Sequence, residues 1–337
     1  MIIHIIMLEK FTQPFIDIIN NNFDKENHYF YIISKNNAIY DLDRSNKNMI
    51  EATPSNKVES LAVLLKKLYR SEKIIIHGLN SKVIDIVFFF QPWLLSKSYH
   101  VMWGGDFYFP EQQSFFKKMV IKQMGNFVTY IKGDYDLIRN WYGANGQYHE
   151  CFMYTSNLYK EFDIKESVRG SIKIQVGNSA DVTNEHFEIF EKLKKYKEED
   201  IVIFVPLSYG DKEYAQKVIT KGKEIFGEKF KPLVDFMEFQ AYLDFLGEID
   251  IAIFAHKRQQ AMGNIITLLG LGKKVYLRDD ITPWKMFNDL EMKLFNVKNI
   301  DIELISDDIK SKNKFLVKEY FSKENYLKQL QNLFKGK

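Results

Sequence analysis

An α/β fold in two units is what this sequence predicts, and three features predict it. Short runs rich in β-branched and aromatic residues alternate with longer stretches of helical spacing, the pattern of parallel sheets covered by helices. The 337 residues, 46% hydrophobic with only 7 prolines, exceed what one core usually supports. From about Tyr154 to Arg169 (YTSNLYKEFDIKESVR) periodicity fades and the chain turns polar, which places a linker there.

In the first half the strand candidates are Ile2–Met7, His28–Ile33, Lys73–His77, Tyr99–Trp103 and Asn126–Tyr130. In the second they are Ile172–Val176, Ile201–Val205, Lys231–Leu233, Ile249–Phe254, Lys274–Leu277 and a short Leu294–Asn296. Residues 1–160 and 170–310 are the expected domains. Residues 311–337 form a helical segment that braces the first: Ser322 can cap a helix whose apolar positions Tyr326, Leu327, Leu330, Leu333 and Phe334 need a groove.

Charge is mixed, 47 basic against 44 acidic residues, so no nucleic-acid-binding tail is expected. The single cysteine, Cys151, excludes an intrachain disulfide framework and fits a reducing compartment. The opening MIIHIIMLEKF lacks a basic leader and a small-residue cleavage site, and reads as a buried strand. Val83 to Leu95, the most apolar later stretch, contains Asp85 and Pro92 and falls short of the roughly 20 residues a spanning helix needs. Between Lys66 and Lys132, however, ten basic residues stand against four acidic ones, interleaved with aromatics such as Phe115 and Phe116 beside Lys117 and Lys118.

In parallel sheets ligands bind beyond the carboxyl ends of strands, where glycine turns and helix starts present free N–H groups. After Ile172–Val176 comes Gly177-Asn178-Ser179-Ala180-Asp181, then Thr183, Asn184 and His186 opening a helix. Its groups suit phosphate or ribose, or an ordinary strand-to-helix turn capped by Asp181 or Thr183. Tyr209, after the next strand, can stack on a base or cover a core edge. The strongest signal is Phe254-Ala255-His256-Lys257-Arg258-Gln259-Gln260-Ala261-Met262-Gly263-Asn264, which follows a buried strand and feeds an apolar helix. Arg258, Gln259, Gln260 and Asn264 at that helix start are well placed for a pyrophosphate, with the guanidinium fork as the leading contact. Glu238 serves donor ribose hydroxyls or a helix first turn equally well.

In the first half, His77-Gly78-Leu79 and Trp103-Gly104-Gly105-Asp106-Phe107-Tyr108 end strands. Glycines beside an acid and aromatics suit a sugar platform. Transfer to a hydroxyl with inversion needs a base, for which Asp106 is the first candidate and His77 the second. Asp106 in a tight turn bonding its own backbone, and His77 as a satisfied structural histidine, are the plain alternatives. No DxD pair with a hydrophobic lead-in stands at a strand end. A leaving diphosphate would then be stabilised by backbone N–H groups and cations, so the expectation is no metal and no cofactor.

The order and spacing of these strings resemble a known family. His77-Gly78-Leu79, Trp103-Gly104-x-Asp106-x-Tyr108, Gly133-Asp134, Gly177-Asn178-Ser179-x-Asp181, His186, Pro206 with Tyr209, Glu238-Phe239, Arg258-Gln259-Gln260-x-x-Gly263, Trp284 and Phe321-Ser322 carry the likeness. The family is glycosyltransferase family 56, the TDP-N-acetylfucosamine:lipid II N-acetylfucosaminyltransferases, also described as 4-alpha-L-fucosyltransferases. The resemblance implies a GT-B architecture, two Rossmann-like domains facing a cleft, with the acceptor on the N-terminal domain and a nucleotide-diphosphate sugar, TDP-linked, on the C-terminal one. It also implies a polyprenyl-diphosphate-linked saccharide acceptor used in surface-polysaccharide assembly, and peripheral attachment to the cytoplasmic face of a bacterial inner membrane. Trp103, Tyr108, Lys117 and Lys118 are the expected acceptor and membrane face. Two other readings are an epimerase or hydrolase on the same fold and a non-catalytic membrane-surface scaffold.

Overall fold

The computed structural model describes residues 1–34, 40–160 and 170–335, and within them the chain divides into two compact units. The first comprises Met1–Ser156 and Tyr326–Lys337, the second Asn157–Asn325. Part of the expected linker, 161–169, lies outside the described residues.

The first unit is a seven-stranded parallel sheet in the order β3-β2-β1-β4-β5-β6-β7. Its strands are β1 (Ile2–Met7), β2 (His28–Ile33), β3 (Met49–Ala52), β4 (Lys73–His77), β5 (Ser98–Val101), β6 (Asn126–Val128) and β7 (Gln147–His149). Helices α1 (Thr12–Asn22), α2 (Lys57–Arg70), α3 (Lys82–Phe90), α4 (Phe115–Gln123) and α5 (Lys132–Tyr142) connect them. Two strands, β3 and β7, escape the sequence reading. Both are short edge strands, and Met-Ile-Glu-Ala and Gln-Tyr-His carry too few buried positions to show an alternation.

The second unit is a six-stranded parallel sheet, β10-β9-β8-β11-β12-β13. It is built from β8 (Ile172–Val176), β9 (Ile201–Pro206), β10 (Phe230–Leu233), β11 (Ile251–Phe254), β12 (Lys274–Leu277) and β13 (Phe295–Asn296). Its helices are α6 (His186–Leu193), α7 (Lys212–Phe226), α8 (Phe239–Glu248), α9 (Met262–Gly270), α10 (Thr282–Asp289) and α11 (Asp307–Tyr320). Every strand expected in this half is present. The central strands are buried on both faces, which is why they read as continuous apolar runs.

In both sheets the strand order reverses next to the first strand, between β1 and β4 and between β8 and β11, and at such switch points loops diverge and leave a crevice. The helices have local causes. Asp211 caps α7 by accepting from the Tyr214 N–H at 2.7 Å, Ser114 caps α4 through the Lys117 N–H, and Gly143, at φ 66°, ends α5 in the left-handed region.

The C-terminal segment divides. Helix α11 packs against α9 in the second unit, and the last helix, α12 (Lys323–Lys335), joins the first unit from Tyr326 onward. There the Tyr326 ring stacks on Phe152 and its hydroxyl donates to the Met153 carbonyl at 2.8 Å, while Gln329 accepts from the Phe152 N–H. Lys73 donates to the Leu333 carbonyl at 2.8 Å.

Gly222 shows how closely α7 lies on β10, because a Cβ there would be driven into the Phe230 ring. Gly222→Ala should lower the melting temperature of the second unit by an overpacking cost of about 1–3 kcal/mol that outweighs the better helix propensity of alanine. Gly105→Ala, which meets open space, should leave the melt unchanged. Calorimetry of both variants checks this, and equal melts would mean the α7–β10 contact is looser than described.

Candidate functional site

The second-unit loops at the switch point are held by side chains from several turns. Gly177 closes β8 at φ 68°, its N–H bonded to the Ile253 carbonyl of β11 at 2.9 Å. A Cβ there would lie 2.6 Å from His186 Nε2 and 2.7 Å from Asn184 Oδ1, so the turn admits only glycine. Asn184 is fully buried, and its Oδ1 accepts from the Asn178 N–H at 2.9 Å while its Nδ2 donates to the Asp181 carbonyl at 3.0 Å. A backbone N–H can only donate, which fixes the orientation of this amide. His256 Nε2, 2.8 Å from the same Oδ1, must therefore carry its proton. Burial, and then the Arg258 charge, push the His256 pKa down to about 3, so the ring is neutral.

The β9 loop zips onto this turn: the Ala180 N–H donates to the Tyr209 carbonyl and the Asp211 N–H to the Ala180 carbonyl. Tyr209 takes a hydrogen bond from Asn178 Nδ2 at 2.7 Å and leaves its ring exposed. Gln260 Oε1 lies 3.0 Å from the Thr183 hydroxyl, which donates to the nearer Asp181 carboxylate at 2.6 Å. Arg258 lies 3.8 Å from Asp181, too far for a hydrogen bond, and one of its N–H groups donates to the Gln259 carbonyl. Lys257 is closely paired with Glu185 at 2.6 Å. For Asp181, burial would raise the pKa, but the Thr183 hydrogen bonds and the Arg258 charge outweigh it and hold the carboxyl below its usual range.

Helix α9 starts at this place without a side-chain cap, because Ala261 stands at the cap position at φ 57°. Its first N–H groups have no intrahelical acceptor, and Asn264 in the first turn interacts with the hydroxyl of half-buried Tyr242, as Gln175 does. Glu238 is exposed one turn before Tyr242 and gives that residue's N–H an acceptor through its carbonyl. Of the expected donor-site residues, Gly177, Asn178, Ser179, Tyr209, Arg258, Gln259, Gln260 and Asn264 thus surround one switch point. Glu238 stands at its side, on the loop after β10. Asn184 and His256 stand in strings that the sequence reads as suited to a ligand, and the structure shows them holding the turn, because buried polar residues do not advertise their partners in a sequence.

In the first unit Asp106 is fully buried. One oxygen accepts from the Leu79 N–H at 3.0 Å and faces His100 Nε2 at 2.6 Å; the other accepts from the Trp103 N–H at 3.1 Å. Burial would raise its pKa, but the His100 ring and these N–H donors hold it below the usual carboxylate range. His77 is also fully buried, with Nδ1 2.6 Å from the Tyr154 hydroxyl and Nε2 3.1 Å from His4 Nδ1. His4 Nε2 lies 2.9 Å from His28 Nδ1, and Trp103 Nε1 donates to Tyr154 at 3.1 Å. One proton order satisfies every link with all three imidazoles neutral: Trp103 to Tyr154 to His77 to His4 to His28. Burial lowers the pKa of His77 to about 3 and of His28 to about 4, and lowers His4 well below 6.5.

Neither Asp106 nor His77 offers a free atom to an acceptor hydroxyl. In this arrangement Asp106 bridges the β4 and β5 loops, and His77 ties the end of β4 to Tyr154 and His4. Tyr108 is likewise buried, donating to Asp134 at 2.8 Å, and so does not form part of an exposed face. Trp103 is half-buried, and Lys117 and Lys118 are half-exposed on α4. Among the described residues no cluster of three His, Cys, Asp or Glu side chains is placed to hold a metal ion. No helix among them is long and apolar enough to cross a membrane.

The family model of the 4-alpha-L-fucosyltransferases, glycosyl transferase group 56, matches residues 6–335. A glycosyltransferase from Rickettsia africae superposes with a TM-score of 0.69 at 14% identity over 99% of this chain and 97% of that one. HepE of Anabaena, solved with UDP and glucose, gives 0.69 at 10% identity over 99% and 100%. Sucrose-phosphate synthase of Thermosynechococcus elongatus gives 0.63 at 10% over 99% and 98%. At these identities the likeness is one of fold, and the fold is GT-B, as the sequence resemblance implied.

Asp106→Ala strands the Leu79 and Trp103 N–H groups and His100 in the core, and should destabilise the first unit by about 3–5 kcal/mol. The reading of Asp106 as the base predicts instead that Asp106→Asn is inactive with an unchanged melt. Acid should act through the imidazoles. Below pH 6.5 the unfolded chain takes up protons that His77 and His28 refuse until about pH 3 and 4, so stability falls as pH drops through that window. Each contributes about 1.4 kcal/mol per pH unit there. A melting temperature flat from pH 6.5 to 4 would show that these rings are not buried neutral.

Proposed function

We propose a reaction for this chain on one premise: it belongs to the 4-alpha-L-fucosyltransferase family, glycosyl transferase group 56. As a glycosyltransferase of GT-B fold it acts on a sugar donor, and HepE, of the same fold, was solved with UDP-glucose. The donor of this chain is a nucleotide-diphosphate sugar bound at the second-unit switch point, TDP-linked and carrying a 4-acetamido-4,6-dideoxy- or related deoxyhexose. The acceptor is a polyprenyl-diphosphate-linked saccharide met at the cytoplasmic face of the bacterial inner membrane.

The observation that carries this reading is the uncapped start of α9 beside Arg258. The helix presents unsatisfied N–H groups at the carboxyl end of β11, and the guanidinium is near a carboxylate without being closed onto it. A diphosphate satisfies both, with two phosphate oxygens on the planar fork and others on the helix start. Tyr209 offers its exposed ring to the base, and Ser179, Asn178 and Gln260 offer polar groups to ribose or phosphate. As the glycosidic bond to the diphosphate breaks, negative charge grows on the leaving oxygens, and the same cations and N–H groups stabilise it more than they stabilise the bound donor. The reaction then proceeds without a metal ion.

A thermal-shift screen of the protein against TDP, UDP, GDP and CMP, with and without EDTA and repeated on Arg258→Ala, tests this. Stabilisation by one nucleoside diphosphate should survive EDTA and weaken at least tenfold in apparent affinity in the variant. If no nucleotide shifts the melt at millimolar concentration, the donor site is elsewhere and a non-catalytic scaffold becomes the better reading.

A further inference from the structure

Helices α3 and α4 pack side by side in the first unit, each also in contact with the turn at 92–97. Their outer face is apolar. On α3, Ile86 and Phe90 are 41% and 66% exposed; Trp93 on the turn is 58% exposed and Phe115 at the start of α4 is 64% exposed. The rings form one connected group: the Phe89 centroid lies 5.2 Å from Phe90, 5.7 Å from Phe115 and 4.9 Å from Phe116. Other exposed large apolar residues, such as Val58, Tyr69 and Val182, do not cluster in this way. A contiguous aromatic face of this kind marks a surface that something covers.

The charges around it indicate what does. Lys82 begins α3, and Lys117, Lys118 and Lys122 lie along α4. Several lysines elsewhere close onto carboxylates, as Lys192 does with Glu188, Lys285 with Asp289 and Lys310 with Asp307. Among the described residues none of the four around this face forms an ion pair. The Lys117 charge also acts on the buried Asp85 of α3, and aromatic rings flanked by ammonium groups match the boundary between acyl chains and anionic head groups. Each helix has nine residues, about 14 Å long, far too short to span a bilayer, so the face lies on a membrane and does not cross it.

We propose that the outer face of α3 and α4, centred on Phe90, Trp93 and Phe115 and flanked by Lys117 and Lys118, docks the protein onto a lipid bilayer with anionic head groups. This deepens the reading of a lipid-linked acceptor and rests on it for its purpose, although the contact itself needs no acceptor. It relocates the membrane face expected from the sequence: Lys117 and Lys118 belong to it, buried Tyr108 does not, and the aromatic anchors come from α3 and the turn after it. A lipid surface is favoured over a second copy of the chain because a self-complementary interface would set the four unpaired lysines against each other.

Flotation with vesicles that contain no acceptor saccharide provides the test. The wild-type protein should bind phosphatidylcholine vesicles containing a quarter phosphatidylglycerol at least tenfold more tightly than phosphatidylcholine alone, and lose most of that preference in high salt. The double variant Phe90→Ser/Phe115→Ser should lose at least tenfold in vesicle affinity, and Lys117→Glu/Lys118→Glu should lose the lipid preference. A nucleoside diphosphate melting shift equal to wild type confirms that both variants fold. Equal flotation of the variants and wild type overturns the proposal, as does a concentration-dependent dimer that the serine substitutions dissolve. If the wild type floats as expected but transfers no sugar to any lipid-linked acceptor, the docking face stands and the proposed reaction fails.

Discussion

Parallel strands end in backbone groups that the sheet itself leaves unpaired, and in both units one buried side chain satisfies them. Asp106 does this in the first, accepting from the Leu79 and Trp103 N–H groups with His100 at its side. Asn184 does it in the second, accepting from the Asn178 N–H and donating to the Asp181 carbonyl. An unpaired buried polar group costs a large part of a domain's net stability, so the loops at the switch points are held in one arrangement. The exposed Tyr209 and the partly exposed Arg258 in the second unit, and the half-buried Trp103 in the first, are positioned by that buried layer.

The two units solve the same problem with different chemistry. The second relies on amides and a neutral imidazole, and it sets Arg258 3.8 Å from Asp181, short of a hydrogen bond, beside an uncapped helix. The first relies on a carboxylate paired with histidine, and on a row of imidazoles running back from Tyr154 toward the C-terminal helix, where Phe334 meets His28 edge-on at 4.8 Å. That row ties β1, β2 and β4 to a segment whose aromatic partners arrive from the far end of the chain. An imidazole held neutral by burial, as His77 is, acts as a brace, and Asp106, a carboxylate held below its usual range, braces the neighbouring loops through its N–H and His100 partners.

Much of the second half was legible in advance. Its strands are continuous apolar runs because helices cover both faces of the sheet, and its loops carry glycine, amide and basic residues that would be costly to place anywhere but at a strand end. Gly177, Asn178 and Arg258 could be chosen on those grounds. In the first half the same reasoning points to the loops after β4 and β5 and expects exposed side chains there. Asp106 and Tyr108 follow glycines, as exposed loop residues do, yet both point inward, and nothing in their neighbourhood in the sequence shows that His100 and Asp134 wait to receive them.

The sequence by itself determined the alternation of strand and helix, the two-unit plan and the family, because periodicity, turn residues and motif spacing are local and survive without knowledge of partners. Tertiary structure alone decided which polar groups are buried together, that α12 returns to the first unit while α11 stays in the second, and which side of α3 remains open. Helix α3, Lys-Val-Ile-Asp-Ile-Val-Phe-Phe-Phe, is apolar on nearly every side, so its pattern could not say which face the core would take. Contact between residues far apart in the chain made that choice, covering Ile84 and Phe88 and leaving Ile86 and Phe90 outside.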